Sequence, residues 1–271
     1  MSVVTVERTV SVIEALAEEP GATELSVIAA RIELPLSAAH RILSTLVARG
    51  LVVQEAASGG YQLSLRLAQL AFRSLEARVA PNIVQTVLDG LALSTREYCR
   101  LAIVEGEHLI WVARAQGAPA GLRYDPDMGD EIVLHATANG KAWLATMDDA
   151  SARRILKMRG LKAPRALGPN SATTLKTVLA HLAETRARGF ATAVEEAELG
   201  TAAVAVAFRA GRAADAPVAG TISVAGPIAR ISEDRFGELA AMLHAAAAEL
   251  GEMWPIQKFG ESARPSTAPS S

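Results

Sequence analysis

Apolar residues near the amino terminus recur three and four positions apart, at Val3, Val6, Val10, Ile13, Leu16 and Ala17, until Pro20–Gly21 interrupts the run. That spacing predicts one side of a helix. Thr23 stands where an N-cap would start a second helix carrying Leu25, Ile28, Ala29 and Ile32 inward. Pro35 ends it, because proline disfavours helical geometry in the residue before it. A third helix follows with Ala39, Ile42, Leu43, Leu46 and Val47 on one stripe, closed by Gly50. Three short helices with a tight second turn describe a helix-turn-helix unit.

After Gly50 the period changes from helical to alternating. Leu51–Gln54 and Tyr61–Leu63 read as two short strands around Glu55–Gly60, a hairpin that would form a wing. Leu65, Leu67, Ala68, Leu70, Ala71 and Leu75 then make a helical stripe suited to a linker. From Pro81 an α/β pattern begins. Helices are expected near Ile83–Arg96, Ala136–Met147, Asp148–Arg159 and Leu175–Arg188, and strands at Tyr98–Val104, Leu109–Arg114, Phe190–Glu195, Ala202–Phe208 and Val218–Val224. A last helix should start at Ser232, with Glu233 and Asp234 at its positive end and Phe236, Leu239, Ala240, Leu243 and Leu250 inward. The expected organisation is α+β: a winged helix-turn-helix over 1–64, a linker helix over 65–80, an α/β domain over 81–257 and a disordered polar tail over 258–271.

Composition narrows the class. The 271 residues are 50% hydrophobic and 21% charged, the balance of a globular chain with real cores. One cysteine, Cys99, excludes an internal disulfide framework and a cysteine-based zinc site, and suits a reducing cytoplasm. The amino terminus lacks a basic segment followed by a long apolar one, and no run approaches the roughly 18 apolar residues of a membrane span. A cytoplasmic protein is therefore expected.

Charge opposes a nucleic-acid reading at first sight. Up to Ala80 seven arginines face eight glutamates, a net of −1. Five of those glutamates precede Leu25, however, and between Leu34 and Gln54 there are two arginines and no acid. If the third helix buries its apolar stripe, it presents Ser37, Ala38, His40, Arg41, Ser44 and Thr45, with Arg49 just beyond. Small and hydroxylated side chains allow close approach to a major groove, and an arginine there can read a guanine edge. The same arginines also serve as ordinary surface charges of a small bundle, and spacing alone leaves both readings open.

Enzyme chemistry finds little support. The histidines His40, His108, His135, His181 and His244 form no short metal-ligand pair, and neither a nucleophile elbow nor a phosphate loop is present. Cys99 lies inside an apolar strand, where a buried structural thiol is the natural reading. His135 and Lys141 suit structural or ligand-contacting roles better than catalysis. No enzyme activity, metal or cofactor is expected.

Several segments, in order, resemble the IclR family of transcription regulators: Glu7–Leu16, Leu34–Leu46 with its His40–Arg41 core, Gly60–Leu63, Leu134–Ala142, Glu195–Glu196 with Gly200, and Ile222–Pro227. The resemblance implies a homodimer, often pairing further into a tetramer, on a pseudo-palindromic double-stranded DNA operator. It further implies a GAF-like α/β domain that binds a small organic or aromatic effector. Carried onto matching positions, the effector pocket would comprise Leu122, Tyr124, Ile132, Ala138, Asn139, Ala203, Ser223 and Ala225, with backbone N–H groups near Ala138–Asn139 suited to a carboxylate. Ala203 and Ala225 stand where members that sense small oxo-acids tend to carry polar groups, which points to a larger, more apolar acid. The lysine often found beside Ser37 and the usual glycine after Leu63 are absent, leaving operator sequence and linker angle open. The competing reading is a GAF-like small-molecule sensor or enzyme whose helix-turn-helix makes only protein contacts.

Overall fold

A computed structural model describes residues 3–76, 81–126, 128–163, 166–211, 213 and 215–254. The tail expected over 258–271 lies outside these residues, as do positions 77–80 of the expected linker. The chain divides into two compact units, Met1–Ala77 and Arg78–Ser271.

The first unit contains α1 (Val4–Ala17), α2 (Leu25–Arg31), α3 (Leu36–Ala48), strands β1 (Val52–Gln54) and β2 (Tyr61–Leu63), and α4 (Leu65–Glu76). Its core is Val12, Leu16, Ile28, Leu43, Leu46, Val52 and Tyr61, so each of the first three helices and the hairpin contribute. The buried stripe of α1 is Val12, Ala15 and Leu16; Val3, Val6 and Val10, expected on the same stripe, are exposed. One helix side can face so small a core, and three- and four-residue spacing from Val12 and Leu16 selects the side away from those valines. Thr23 is not the cap of α2. Glu24 holds that position without a side-chain bond, while Thr23 is buried and exchanges both backbone hydrogen bonds with Tyr61, at 2.9 and 2.8 Å. This bridge closes the helices onto the wing, a nonlocal contact that outcompetes local capping. At the second turn Glu33 takes a left-handed φ of 53°, and the Leu34 amide donates to Ala29 carbonyl oxygen. After α3, Gly50 carries φ 71°, a conformation that favours glycine past a helix end. Val47 lies at the edge of the α3 stripe and is 36% exposed.

The second unit contains α5 (Pro81–Thr95), β3 (Tyr98–Glu105), β4 (His108–Gln116), α6 (Ala138–Leu144), α7 (Asp149–Arg159), α8 (Leu175–Arg188), β5 (Ala191–Val194), β6 (Thr201–Arg209), β7 (Val218–Pro227) and α9 (Glu233–Met253). The strands form one antiparallel sheet in the order β4-β3-β7-β6-β5. Alternation along each strand sorts its residues to two faces. Cys99, Leu101, Val204, Val206, Ile222 and Val224 join one apolar cluster with Val84, Leu88 and Leu91 of α5 and Leu239, Leu243 and Leu250 of α9. On the opposite face, Ala102 belongs to a second cluster with Trp143, Ile155, Leu156, Val178 and Leu182 from α6, α7 and α8. The helix expected over Ala136–Met147 is shorter than its pattern suggests: Thr137 caps it, its hydroxyl accepting from the Gly140 amide at 3.1 Å. The expected final helix caps at Ser232, although the Ser232 hydroxyl makes no capping bond.

Candidate effector cavity and DNA-reading helix

On the second face of the large sheet, α6 packs on β5 and β6 through small residues. Ala138 and Ala142 lie against Ala191, Ala193, Ala203 and Ala205. Gly140 permits the approach on the other side of α6, since a Cβ there would lie 2.4 Å from the Leu134 backbone. Toward β3 the same face opens into a cavity holding about 580 Å³ of non-atom space, counting the part open to solvent.

Seven of the eight expected pocket residues, Tyr124, Ile132, Ala138, Asn139, Ala203, Ser223 and Ala225, line this cavity. Leu122 does not. Its side chain is 69% exposed, and its carbonyl oxygen instead accepts from Arg230 Nη1 at 2.9 Å. Arg230 also grips the buried Glu97 carboxylate with Nε at 2.6 Å and Nη2 at 2.8 Å, so Leu122 is a backbone anchor rather than a wall. Asn139 is buried and donates from Nδ2 to Thr221 Oγ1 at 3.0 Å, which fixes its amide across the sheet.

The wall also contains residues that sequence pattern does not single out. Arg100 of β3 is only 7% exposed. Its guanidinium carbon lies 4.4 Å from the ring centre of Trp111 and 5.2 Å from that of Tyr98, close enough for cation–π attraction. Arg100 Nε donates to Tyr98 Oη at 3.2 Å, and Nη2 donates to the Pro126 carbonyl oxygen at 2.8 Å. Tyr98 in turn meets Tyr124 edge-on, with centroids 5.9 Å apart. A charged residue inside an otherwise apolar strand is the signal that could have found it. Asp130 and Glu131 reach the same cavity; Glu131 is 64% exposed and its charge is largely solvated, whereas Arg100 is desolvated.

Behind the cavity Lys141 is buried against Glu196, with Nζ 2.6 and 2.7 Å from the two carboxylate oxygens. Burial pulls the Lys141 ammonium below its ordinary value while the Glu196 carboxylate pushes it back up. His181 Nδ1 approaches Glu196 Oε2 at 3.8 Å. The pair joins α6 to the segment after β5, a structural role for Lys141.

In the first unit, Ser37, His40, Arg41, Ser44, Thr45 and Arg49 are all exposed and Ala38 is half-buried. All but Arg49 lie on α3; Arg49 is its C-cap. The Thr45 hydroxyl donates to the Arg41 carbonyl oxygen at 2.9 Å, leaving a small, polar, positively charged helix face. Arg31, by contrast, is spent on structure: it pairs with Glu18 at 3.3 Å and Glu19 at 2.5 Å and reaches the Ala15 carbonyl oxygen.

A helix-turn-helix with its wing, carried on one chain with a sheet domain that holds a cavity, defines a class of DNA-binding transcription regulators. Residues 5–56 match the IclR helix-turn-helix domain and residues 75–252 match the bacterial transcriptional regulator IclR C-terminal domain. The chain belongs to the IclR family of transcription regulators. It is 30% identical over 245 residues to the transcriptional repressor IclR of Escherichia coli (strain K12), covering 90% of this chain and 87% of that one. Among solved structures, an IclR-type regulator from Alicyclobacillus acidocaldarius shares the fold with a TM-score of 0.77 at 24% identity, covering 93% of this chain and 98% of that one. An IclR homologue from Microbacterium hydrocarbonoxydans, crystallised with 4-hydroxybenzoate, gives 0.70 at 22% identity, covering 91% and 97%. Among the described residues no helix is long and apolar enough to cross a membrane.

Proposed function

We propose that this regulator senses a monocarboxylic acid with an aromatic or similarly bulky apolar body. The observation that carries this reading is Arg100, a buried cation set between aromatic rings in the wall of a cavity that six alanines also line. Desolvated charge attracts an anion far more strongly than an exposed one. Apolar surface from Ala138, Ala203 and Ala225 favours a hydrophobic ligand body. Asp130 and Glu131 oppose a second carboxylate, so a neutral polar substituent suits the other end. With only seven residues in α6, the charge of Arg100 outweighs the backbone N–H groups near Ala138–Asn139 as the anion-attracting element. The 4-hydroxybenzoate bound by the Microbacterium relative fits this chemistry. Trp111 lines the cavity and gives a direct readout. Titration with 4-hydroxybenzoate should change tryptophan fluorescence saturably. The corresponding neutral amide should bind at least about tenfold more weakly, as should the acid to Arg100→Gln. Equal binding of acid and amide would overturn the reading.

The protein acts by binding rather than catalysis, in the cytoplasm, as a homodimer on an inverted repeat. Ser37, Ala38, His40, Arg41, Ser44, Thr45 and Arg49 form the DNA-facing surface. Selection on random duplex at fixed salt should enrich half-sites about one helical turn apart, or a multiple of that spacing. Arg41→Ala should relax the preference at one base pair per half-site, by about 1–3 kcal/mol. Unchanged preference would remove Arg41 from base reading. Failure to enrich any sequence would favour a sensor whose helix-turn-helix contacts protein.

A further inference from the structure

A second cavity lies beside the first, sharing Glu131 and Ile132 as a common wall. Besides Leu109, Val133, Leu134 and Gly160, it is lined by His108, His135, Arg159 and Lys162. Two donors here lack partners. His135 is 2% exposed and its Nε2 is buried without a hydrogen bond; Arg159 Nε is likewise buried and unsatisfied. Buried polar atoms in native proteins nearly always find a partner in protein, water or ligand. Two orphans on residues lining one cavity therefore mark a place for an acceptor.

The rest of Arg159 is already held in position. Nη2 donates to the Glu107 carbonyl oxygen at 3.4 Å and meets His108 Nδ1, and Nη1 lies 3.5 Å from Glu131 Oε1. Glu131 is 64% exposed, so water screens its claim on the guanidinium. Lys162 is exposed at the rim and adds a second full positive charge. Burial, and secondarily the Lys141 charge, hold His135 below its ordinary value, so it is a neutral imidazole whose unpartnered Nε2 can carry the proton toward an acceptor.

We propose that this cavity binds a small oxyanion, with the Arg159 guanidinium and the His135 imidazole as donors and Lys162 as a rim charge. Two fixed cations, partly offset by Glu131, favour a phosphate over a singly charged carboxylate. The proposal stands apart from the effector reading, because it uses a different cavity and different cations.

The test is calorimetric titration of the full-length protein with inorganic phosphate and, separately, with acetate. Saturable binding is expected, weakened at least about tenfold in Arg159→Gln and about threefold in Lys162→Ala, and unchanged in Arg100→Gln. Lys162 is exposed, so its variant carries the test if Arg159→Gln does not fold. Binding of phosphate alone identifies a phosphate-type ligand; binding of acetate alone identifies a carboxylate in the same site. Absence of saturable binding by either anion, or binding indifferent to both substitutions, overturns the site. Loss in Arg100→Gln alone would assign the anion to the effector cavity instead and overturns it equally.

Discussion

The two faces of the five-stranded sheet are built from alternate residues of the same strands, yet they are filled differently. Under α5 and α9 the face is dry: Cys99, Leu101, Val204, Ile222 and Val224 are each 0% exposed, and burial pushes the Cys99 thiol up to about 12. Under α6, α7 and α8 the neighbours of those residues are Tyr98, Arg100, Thr221, Ser223, Ala203 and Ala205. Branched and long side chains fill the first face to the density of a protein interior. Alanines and hydroxyls leave the second with space, buried polar groups and a desolvated cation. The two faces thus differ in filling: one is packed throughout, while the other holds both an apolar cluster and the cavity.

Substitutions that cross this divide test it. The largest effect should come from Lys141→Met, which strands the buried Glu196 carboxylate and should cost about 3–5 kcal/mol in urea unfolding. Adding Glu196→Leu should recover most of that loss; a double variant as unstable as the single would show that the pair contributes more than mutual neutralisation. On the dry face Ile222→Ala should cost about 2–5 kcal/mol through lost burial and the cavity left behind, with effector affinity scarcely altered. On the cavity face Ala203→Leu should cost about 1–3 kcal/mol by crowding α6 and should abolish the fluorescence response to acids, because the leucine occupies space the ligand needs. A large stability loss for Ala203→Leu without a binding effect would mean that this face is core as well.

A smaller effect concerns pH. His135 in the folded protein is held below 6.5, first by burial and then by Lys141. Below 6.5 the unfolded chain therefore takes up a proton that the folded chain refuses. Stability should fall as pH drops from 6.5 toward the folded value, with a slope of up to about 1.4 kcal/mol per pH unit from this group. In phosphate-free buffer His135→Gln should flatten that part of the profile. An unchanged slope would assign the acid sensitivity to other groups.

Much of the fold and part of the candidate site are legible in the sequence. Period and punctuation place the helices and strands, because helical spacing in Leu239, Ala240, Leu243 and Leu250 and the shift to alternation after Gly50 are local properties of the chain. The resemblance at Leu134–Ala142 and Ile222–Pro227 points to residues that line one cavity. What local pattern misjudges is the choice among equivalent alternatives. Val3, Val6 and Val10 satisfy helical spacing as well as Val12 and Leu16 do, and only packing against Ile28 and Leu43 decides which side is buried. Thr23 is a good cap by residue type, but the bridge to Tyr61 claims its backbone.

The sequence by itself determined the kinds of element, their order, the family and the split of strand residues into two faces, since all of these follow from neighbours along the chain. Tertiary structure alone decided that Arg100 and Trp111 join the cavity, that Leu122 anchors through its backbone, and that Lys141 meets Glu196. Those outcomes join residues tens of positions apart. They depend on strand order and on the alanine-limited approach of α6 to the sheet, neither of which local spacing encodes.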